Sequence, residues 1–364
     1  MGRFILYTSI FFAFYFGFMG VYIIRLPLYF HQYLHFSPAQ IGLLLGAMPL
    51  AKFLTPFLFL RRGVNWGEFW VGVGIGVVGA LLLFSPHFLP LLAGFFLLGV
   101  SFSIIPPYLE RRAVEVLGHR YGRARLFGSL GFVLAGGVPI PEPLYLPVGV
   151  GLIFGALWAG SKIVAPAEEV IEEGYLSLLR GWHFWISLIL VKSAAAGFYS
   201  FFTIYLHQHQ LDQFVGLFWG VGIGLEVTLF LLQPQLLSKI SPETAMGIGI
   251  GATALRWFLL YLFPDSFWWV LLSQTFHACT FALYHIGALL YLSNLYPNRK
   301  TLAQQLYGGL GYGLSFFLGS WLAGLFYGPN LFLYEGVLTL VGLGIFLSGE
   351  FRRRSLSRWA NGEG

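Results

Sequence analysis

FLPLLAGFFLLGVSFSIIPPYL, Phe88 to Leu109, runs without a single Asp, Glu, Lys, Arg or His and stops at Glu110-Arg111-Arg112. A helix crossing the hydrocarbon core of a bilayer needs about 20 consecutive apolar residues, and a soluble helix keeps a polar face that this stretch lacks. Working outward, the same pattern returns at Ile5 to Phe30, Ile41 to Leu60, Phe69 to Phe84, Leu126 to Ile140, Leu144 to Ile163, Phe184 to Leu206, Phe214 to Leu232, Ala245 to Phe263, Phe267 to Leu292, Leu302 to Tyr327 and Leu331 to Leu347. Hydrophobic residues make up 57% of the chain and charged residues 10%, against about 25% charged in ordinary soluble domains. The reading is an all-α, twelve-span membrane protein. The first stretch has no small-residue cleavage site and is taken as a retained helix. An eleven-span alternative, fusing the fifth and sixth stretches across Pro139, Pro141 and Pro143, stays open.

Charge placement supports an even count. Arg3, Arg61, Arg62, Arg111, Arg112, Arg120, Arg123, Arg125, Lys162, Arg180, Lys239, Arg299, Lys300, Arg352, Arg353, Arg354 and Arg358 fall on one side of a twelve-span chain, and the opposite loops hold no Lys or Arg. The positive-inside rule then places both termini in the cytoplasm of a bacterial-type inner membrane. The net charge of +6 is therefore topological, and no nucleic-acid partner is expected. The single Cys279 excludes an intramolecular disulfide. Residues 164–182, with Glu168, Glu169, Glu172, Glu173 and the run YLSLLR, read as a cytoplasmic linker between a six-helix half at 1–163 and another at 183–350, followed by a basic tail at 351–364. Gly72, Gly76 and Gly79, and Gly309 and Gly313, have the spacing that lets helix backbones approach.

Ionisable groups inside spans are costly and need a partner or an aqueous cavity. Six stand out: Arg25, Lys52, Lys192, Glu226, Arg256 and Glu335. Arg256 sits mid-span with no route to snorkel, and Glu226 lies at similar depth, so the two suggest an anion-binding arginine coupled to a protonatable acid. Arg25 and Glu335 are nearer the outer face. His277, Thr280 and Tyr284 recur at i, i+3 and i+7, with His285 beside them, as a polar stripe. A metal would want further Cys or carboxylate ligands, and neither a metal nor a cofactor is expected. Tyr15, Tyr22 and Arg25 share one face of the first span, and Lys192, Tyr199 and Thr203 one face of the seventh. In a two-half transporter such faces are expected at a midplane substrate site.

Several stretches resemble one family: FSPAQIGLLLGAMPLAKF at Phe36 to Phe53, YGRARLFGSLGFVLAGG at Tyr121 to Gly137, VGLFWGVGIGLEVTLF at Val215 to Phe230, LRWFL at Leu255 to Leu259 and FHACTFALYH at Phe276 to His285. Together the chain resembles the major facilitator superfamily, in its phenylpropionate permease branch, related to the lactose and nucleoside proton symporters. The resemblance implies a rocker-switch symporter taking up a small organic solute with protons. It carries over Lys52, Glu226, Arg256, His277 and His285, and Arg123 and Arg125 of a cytoplasmic motif. Arg25 and Lys192 depart from the pattern and put the solute in question, and RRGVNWGE lacks the usual Asp of the loop between the second and third spans, which shifts gating contacts toward Glu110 and Arg111.

The expected function is proton-coupled symport of a small solute such as an aromatic carboxylate, by a protein that is not an enzyme and acts as a monomer. Substrate contacts are expected at Arg256, Lys52, Lys192, Tyr15, Tyr199, His277 and Tyr284; proton coupling at Glu226, Glu335 and His285; gating at Glu110, Arg111, Arg123 and Arg125. Efflux, sugar or nucleoside transport are the alternatives within the fold. No GxxxxGK[ST] loop is present, so ATP is not the expected energy source. An intramembrane lipid-modifying enzyme would need an acidic metal cluster at the membrane face, and the only acidic cluster lies in the linker.

Overall fold

Long uncharged runs leave the backbone no water to bond with, so each closes its own hydrogen bonds as a helix. A computed structural model describes residues 2–58, 66–164, 178, 181–237 and 239–360. The described residues contain helices and connections and no strand. They form twelve rods: α1 (Gly2–Gln32), α2 (Pro38–Leu58), α3 (Trp66–Leu82), α4 (Phe88–Leu117), α5 (Tyr121–Gly137), α6 (Tyr145–Ser161), α7 (Trp182–Gln208), α8 (Val215–Leu237), α9 (Pro242–Leu262), α10 (Phe267–Leu295), α11 (300–325) and α12 (Leu331–Ala360). Among the described residues, eight stretches, Phe88–Leu117 and Pro242–Leu262 among them, are long and apolar enough to cross a membrane. The fifth and sixth stretches are separate helices, because the chain leaves the helix after Gly137, with Val138 extended, and turns at Glu142–Leu144 before α6. Proline has no N–H to continue a helix, and Pro139 and Pro141 enforce the break.

The last helix, α12, runs on through residues 351–360, and Glu350 and Arg353 pair one turn apart within it at 2.8 Å. Gly309 and Gly313 fall inside a π turn, Gly309–Leu314, where Gly313 is buried. Gly311, in the same turn, also makes a close approach, with its Cβ position 3.1 Å from the Leu188 side chain. The first glycine set does pack as expected, Gly76 and Gly79 facing Ser101 and Gly94 of α4. Residues 61–65 and the acidic part of the linker lie outside the described residues.

The chain packs as two compact units. One comprises Met1–Ile171, Ala196–Gly220 and Phe316–Tyr327; the other comprises Glu172–Ala195, Val221–Ser315 and Gly328–Gly364. This differs from a division at the linker, because the C-terminal part of α7, the start of α8 and the end of α11 count with the first six rods. Close approach explains it: a Cβ on Gly42 would lie 2.3 Å from the Ser320 carbonyl oxygen, and one on Gly324 2.4 Å from that of Pro38. Only glycine lets backbones meet so closely. The first unit has α1 against α5 and α6, and α4 against α2 and α3. In the second, α9 packs on α10 and α12, over a core that includes Phe184, Trp185, Met246, Ile250, Tyr284, Tyr291, Tyr307 and Phe346.

Candidate functional site

One buried polar group in the second unit begins with a glycine. Gly249 brings α9 against α10 so closely that a Cβ would meet Tyr284 at 2.8 Å and the Cys279 carbonyl at 3.0 Å. Arg256 lies seven residues, two turns, further along the same face, and so projects at α10. Its guanidinium donates to Gln274 Oε1 at 2.5 Å, to His277 Nδ1 at 3.0 Å and to Thr280 Oγ1 at 3.5 Å. Arg256 is 1% exposed. His277 Nε2 in turn lies 3.2 Å from Glu226 Oε2 of α8.

The tautomer follows from this arrangement. Arginine only donates, so His277 Nδ1 accepts, and the hydrogen on Nε2 is donated to the Glu226 carboxylate. Arg256, His277 and Glu226 form one polarised chain across three helices. Gln274, buried and three residues before His277, was missed by sequence reading. Its spacing of i, i+3 with His277 was the available signal.

Glu335 of α12 faces the same part of α9. Its neighbour Gly336 abuts Phe258, and Phe332 stacks on Trp257 with centroids 6.0 Å apart. It is 5% exposed, and neither carboxylate oxygen has a hydrogen-bond partner among the described residues. A buried carboxyl without partners is an expensive group to keep.

Lys192 of α7 is also buried, at 4% exposed. Its Nζ lies 4.6 Å from the Tyr284 ring centroid, 4.8 Å from that of Tyr312 and 5.8 Å from that of Phe281. The Tyr312 hydroxyl is 3.3 Å away. Two π turns build this surround: Phe281 belongs to Cys279–Leu283, with Tyr284 next to it, and Tyr312 belongs to Gly309–Leu314. A π turn inserts one residue, so Tyr284 and His285 both turn inward. His285 Nδ1 lies 3.1 Å from the Tyr307 hydroxyl and 3.4 Å from that of Tyr312. The stripe of His277, Thr280, Tyr284 and His285 is thus brought together, with Lys192 and Arg256 along it. Phe281, Tyr307 and Tyr312 join it unforeseen, because the π turns that aim them are not legible from periodicity.

In the first unit, Lys52 of α2 lies 3.4 Å from the Tyr15 hydroxyl and 5.8 Å from the Phe102 ring centroid. Tyr199 packs on Trp219 and Phe316, in a different compact unit from Lys192 despite their shared helix. Tyr22 and Arg25 are spent on structure. Tyr22 donates to the Leu45 carbonyl, and Arg25 donates to the carbonyls of Gly136 and Gly137, both at 2.6 Å, closing the last turn of α5. Among the expected gating residues, Glu110 meets Arg125 at 3.6 Å and accepts from the Tyr121 hydroxyl. Arg125 also covers Phe16 at 4.0 Å. Arg111 pairs instead with Glu115, at 3.0 Å on an exposed surface, and Arg123 is exposed.

A second buried network went unforeseen. His183 Nε2 lies 3.0 Å from Glu350 and 3.1 Å from the Tyr291 hydroxyl, Tyr291 donates to the same carboxylate, and Arg353 bridges Glu350 and Glu243. It ties α7, α9, α10 and α12.

Residues 112–334, more than half the chain, match the model of the MFS_1 like family. The chain belongs to that family. This MFS_1-like protein is 23% identical to a probable 3-phenylpropionic acid transporter of Escherichia coli (strain K12), an alignment covering 84% of this chain and 86% of the relative. It is 25% identical to a maltose permease of Geobacillus stearothermophilus, over 96% and 94% of the two chains. Its fold is similar to that of the nucleoside transporter NupG (D323A mutant), with a TM-score of 0.81 at 16% identity over 95% of this chain and 99% of that one. The MFS_1-like protein is accordingly a multi-pass membrane transporter of the major facilitator type, as the sequence motifs implied, and not an enzyme.

Proposed function

We propose that the protein is a proton-coupled symporter that takes up a small organic solute by alternating access, with 3-phenylpropanoate as the model solute. The observation that carries the proton coupling is the chain from Arg256 through His277 to Glu226. His277 Nδ1 is held as an acceptor by Arg256, so the group in this chain that takes up a proton is the carboxylate. Glu226 is 17% exposed in its side chain and His277 4%, which puts the acid at the accessible end. Protonating Glu226 removes its charge from the His277 hydrogen bond and loosens the tie between α8 and α10, the kind of charge change that biases a two-state element. Lys52 and Tyr15 are proposed as further solute contacts, with Tyr199, His277 and Tyr284; Glu110 and Arg125 as a gating pair. The working state is proposed to be a monomer in the inner membrane with both termini cytoplasmic.

The test uses the full chain in proteoliposomes. Glu226→Gln is expected to retain exchange of labelled 3-phenylpropanoate across the membrane and to lose its pH-driven accumulation. Accumulation at the wild-type level would move the coupling role to Glu335 or His285.

A second reading, uptake of a neutral sugar, is favoured by the similarity to a maltose permease. Competition of maltose against labelled 3-phenylpropanoate decides between them.

A further inference from the structure

Within the second unit's spans, Glu226, His277, Arg256 and Glu335 form one group of ionisable side chains around α9. Glu226 and His277 pair, Arg256 donates into Gln274 and His277, and Glu335 packs against the helix that carries Arg256. Lys192 does not fit that scheme. Among the described residues no carboxylate lies within ion-pair distance of its ammonium, which meets one phenol oxygen and the faces of three rings. Ring faces hold a cation in place without neutralising it. The hydroxyl of Tyr284, the nearest of those rings, is fully buried and has no hydrogen-bond partner among the described residues. A lysine kept for packing at this depth ordinarily has an acid or backbone carbonyls for partners. Here a basic side chain lies over the ring that carries an unused hydroxyl donor, next to two π turns, a distortion that recurs at functional sites.

We infer that Lys192, with the Tyr284 hydroxyl, is the subsite that reads a carboxylate on the transported solute, so that the protein selects organic monoanions over neutral sugars and nucleosides. This rests on the transport reading above and adds its substrate class. Lysine's ammonium and the phenol both donate, and a carboxylate only accepts, so the two sets of partners are complementary. A neutral solute leaves the ammonium buried without a counter-charge, and a site built around a buried polar partner rejects the analogue lacking it far more strongly than it rejects a missing methylene. Arg256 is less available for the task, because Gln274, His277 and Thr280 already occupy its fork.

The experiment compares binding of 3-phenylpropanoate and of its uncharged amide, 3-phenylpropanamide, to the purified full-length protein, alongside thermal unfolding without ligand. Wild type is expected to prefer the acid at least tenfold. Lys192→Met should bring the preference to within twofold of unity, and Lys192→Arg should keep it. Tyr284→Phe, which removes only the hydroxyl, should weaken the acid severalfold and leave the amide unchanged. Unfolding of Lys192→Met should occur at or above the wild-type temperature, since the substitution deletes an uncompensated buried charge. The inference is overturned if Lys192→Met keeps the tenfold preference, or if that variant unfolds well below wild type or fails to fold, because the lysine then serves the fold. A wild type indifferent to the charge of the ligand overturns the carboxylate reading of the solute itself and this subsite with it.

Discussion

Gly222 offers the sharpest perturbation of the proton-coupling chain without touching any of its polar atoms. A methyl placed there would lie 3.2 Å from His277 Cβ, 3.3 Å from Cγ and 3.4 Å from Cδ2. Carbon atoms rest about 3.5 to 4.0 Å apart, so the imidazole must give by about 0.3 to 0.5 Å. Gly222 and Glu226 share one face of α8, four residues apart, and a ring pushed off that face moves away from the carboxylate. The His277 to Glu226 contact, 3.2 Å now, would stretch to about 3.6 Å, beyond useful hydrogen-bond length. Gly222→Ala is expected to unfold close to the wild-type temperature, the mild crowding being offset by about 0.5 to 1 kcal/mol of helix propensity. Gly222→Val adds overpacking of about 1 to 3 kcal/mol. In proteoliposomes both should retain exchange of labelled 3-phenylpropanoate, with pH-driven accumulation reduced for Ala and lost for Val. Gly220 and Gly224, whose added methyls meet nothing within 4 Å, are the controls, and their Ala variants should accumulate normally. Full accumulation by Gly222→Val in a folded protein would refute the reasoning, since the chain would then not need the geometry shown.

Arg25→Met removes two charge-assisted bonds from the end of α5 and should cost about 2 to 4 kcal/mol, read as a lower unfolding temperature of the purified protein with the affinity for 3-phenylpropanoate unchanged; a changed affinity would return Arg25 to the substrate path. A reporter active only outside the cytoplasm, fused after Gly364, should be silent, and activity there would invert the topology drawn from the loop charges.

The membrane class, the helical fold and the twelve rods were written in the sequence, because each hydrocarbon-spanning run has to satisfy its backbone within itself and therefore announces its own length and limits. The charges inside those runs were equally plain, since each is a cost that composition displays. Which of them serve the fold was not. Arg25 and Arg256 differ in depth along their spans, but depth does not say that one closes the end of a neighbouring helix and the other heads a chain to His277 and Glu226. That difference depends on which backbone lies opposite, and so on close approaches such as Gly249 against α10. The cage around Lys192 was hidden for a second reason. A π turn shifts the register of every residue after it, so a 3.6-residue period cannot aim Phe281, Tyr284 and Tyr312 at one ammonium. The tertiary structure alone decided that a lysine, two tyrosines and a phenylalanine from three helices meet at one point.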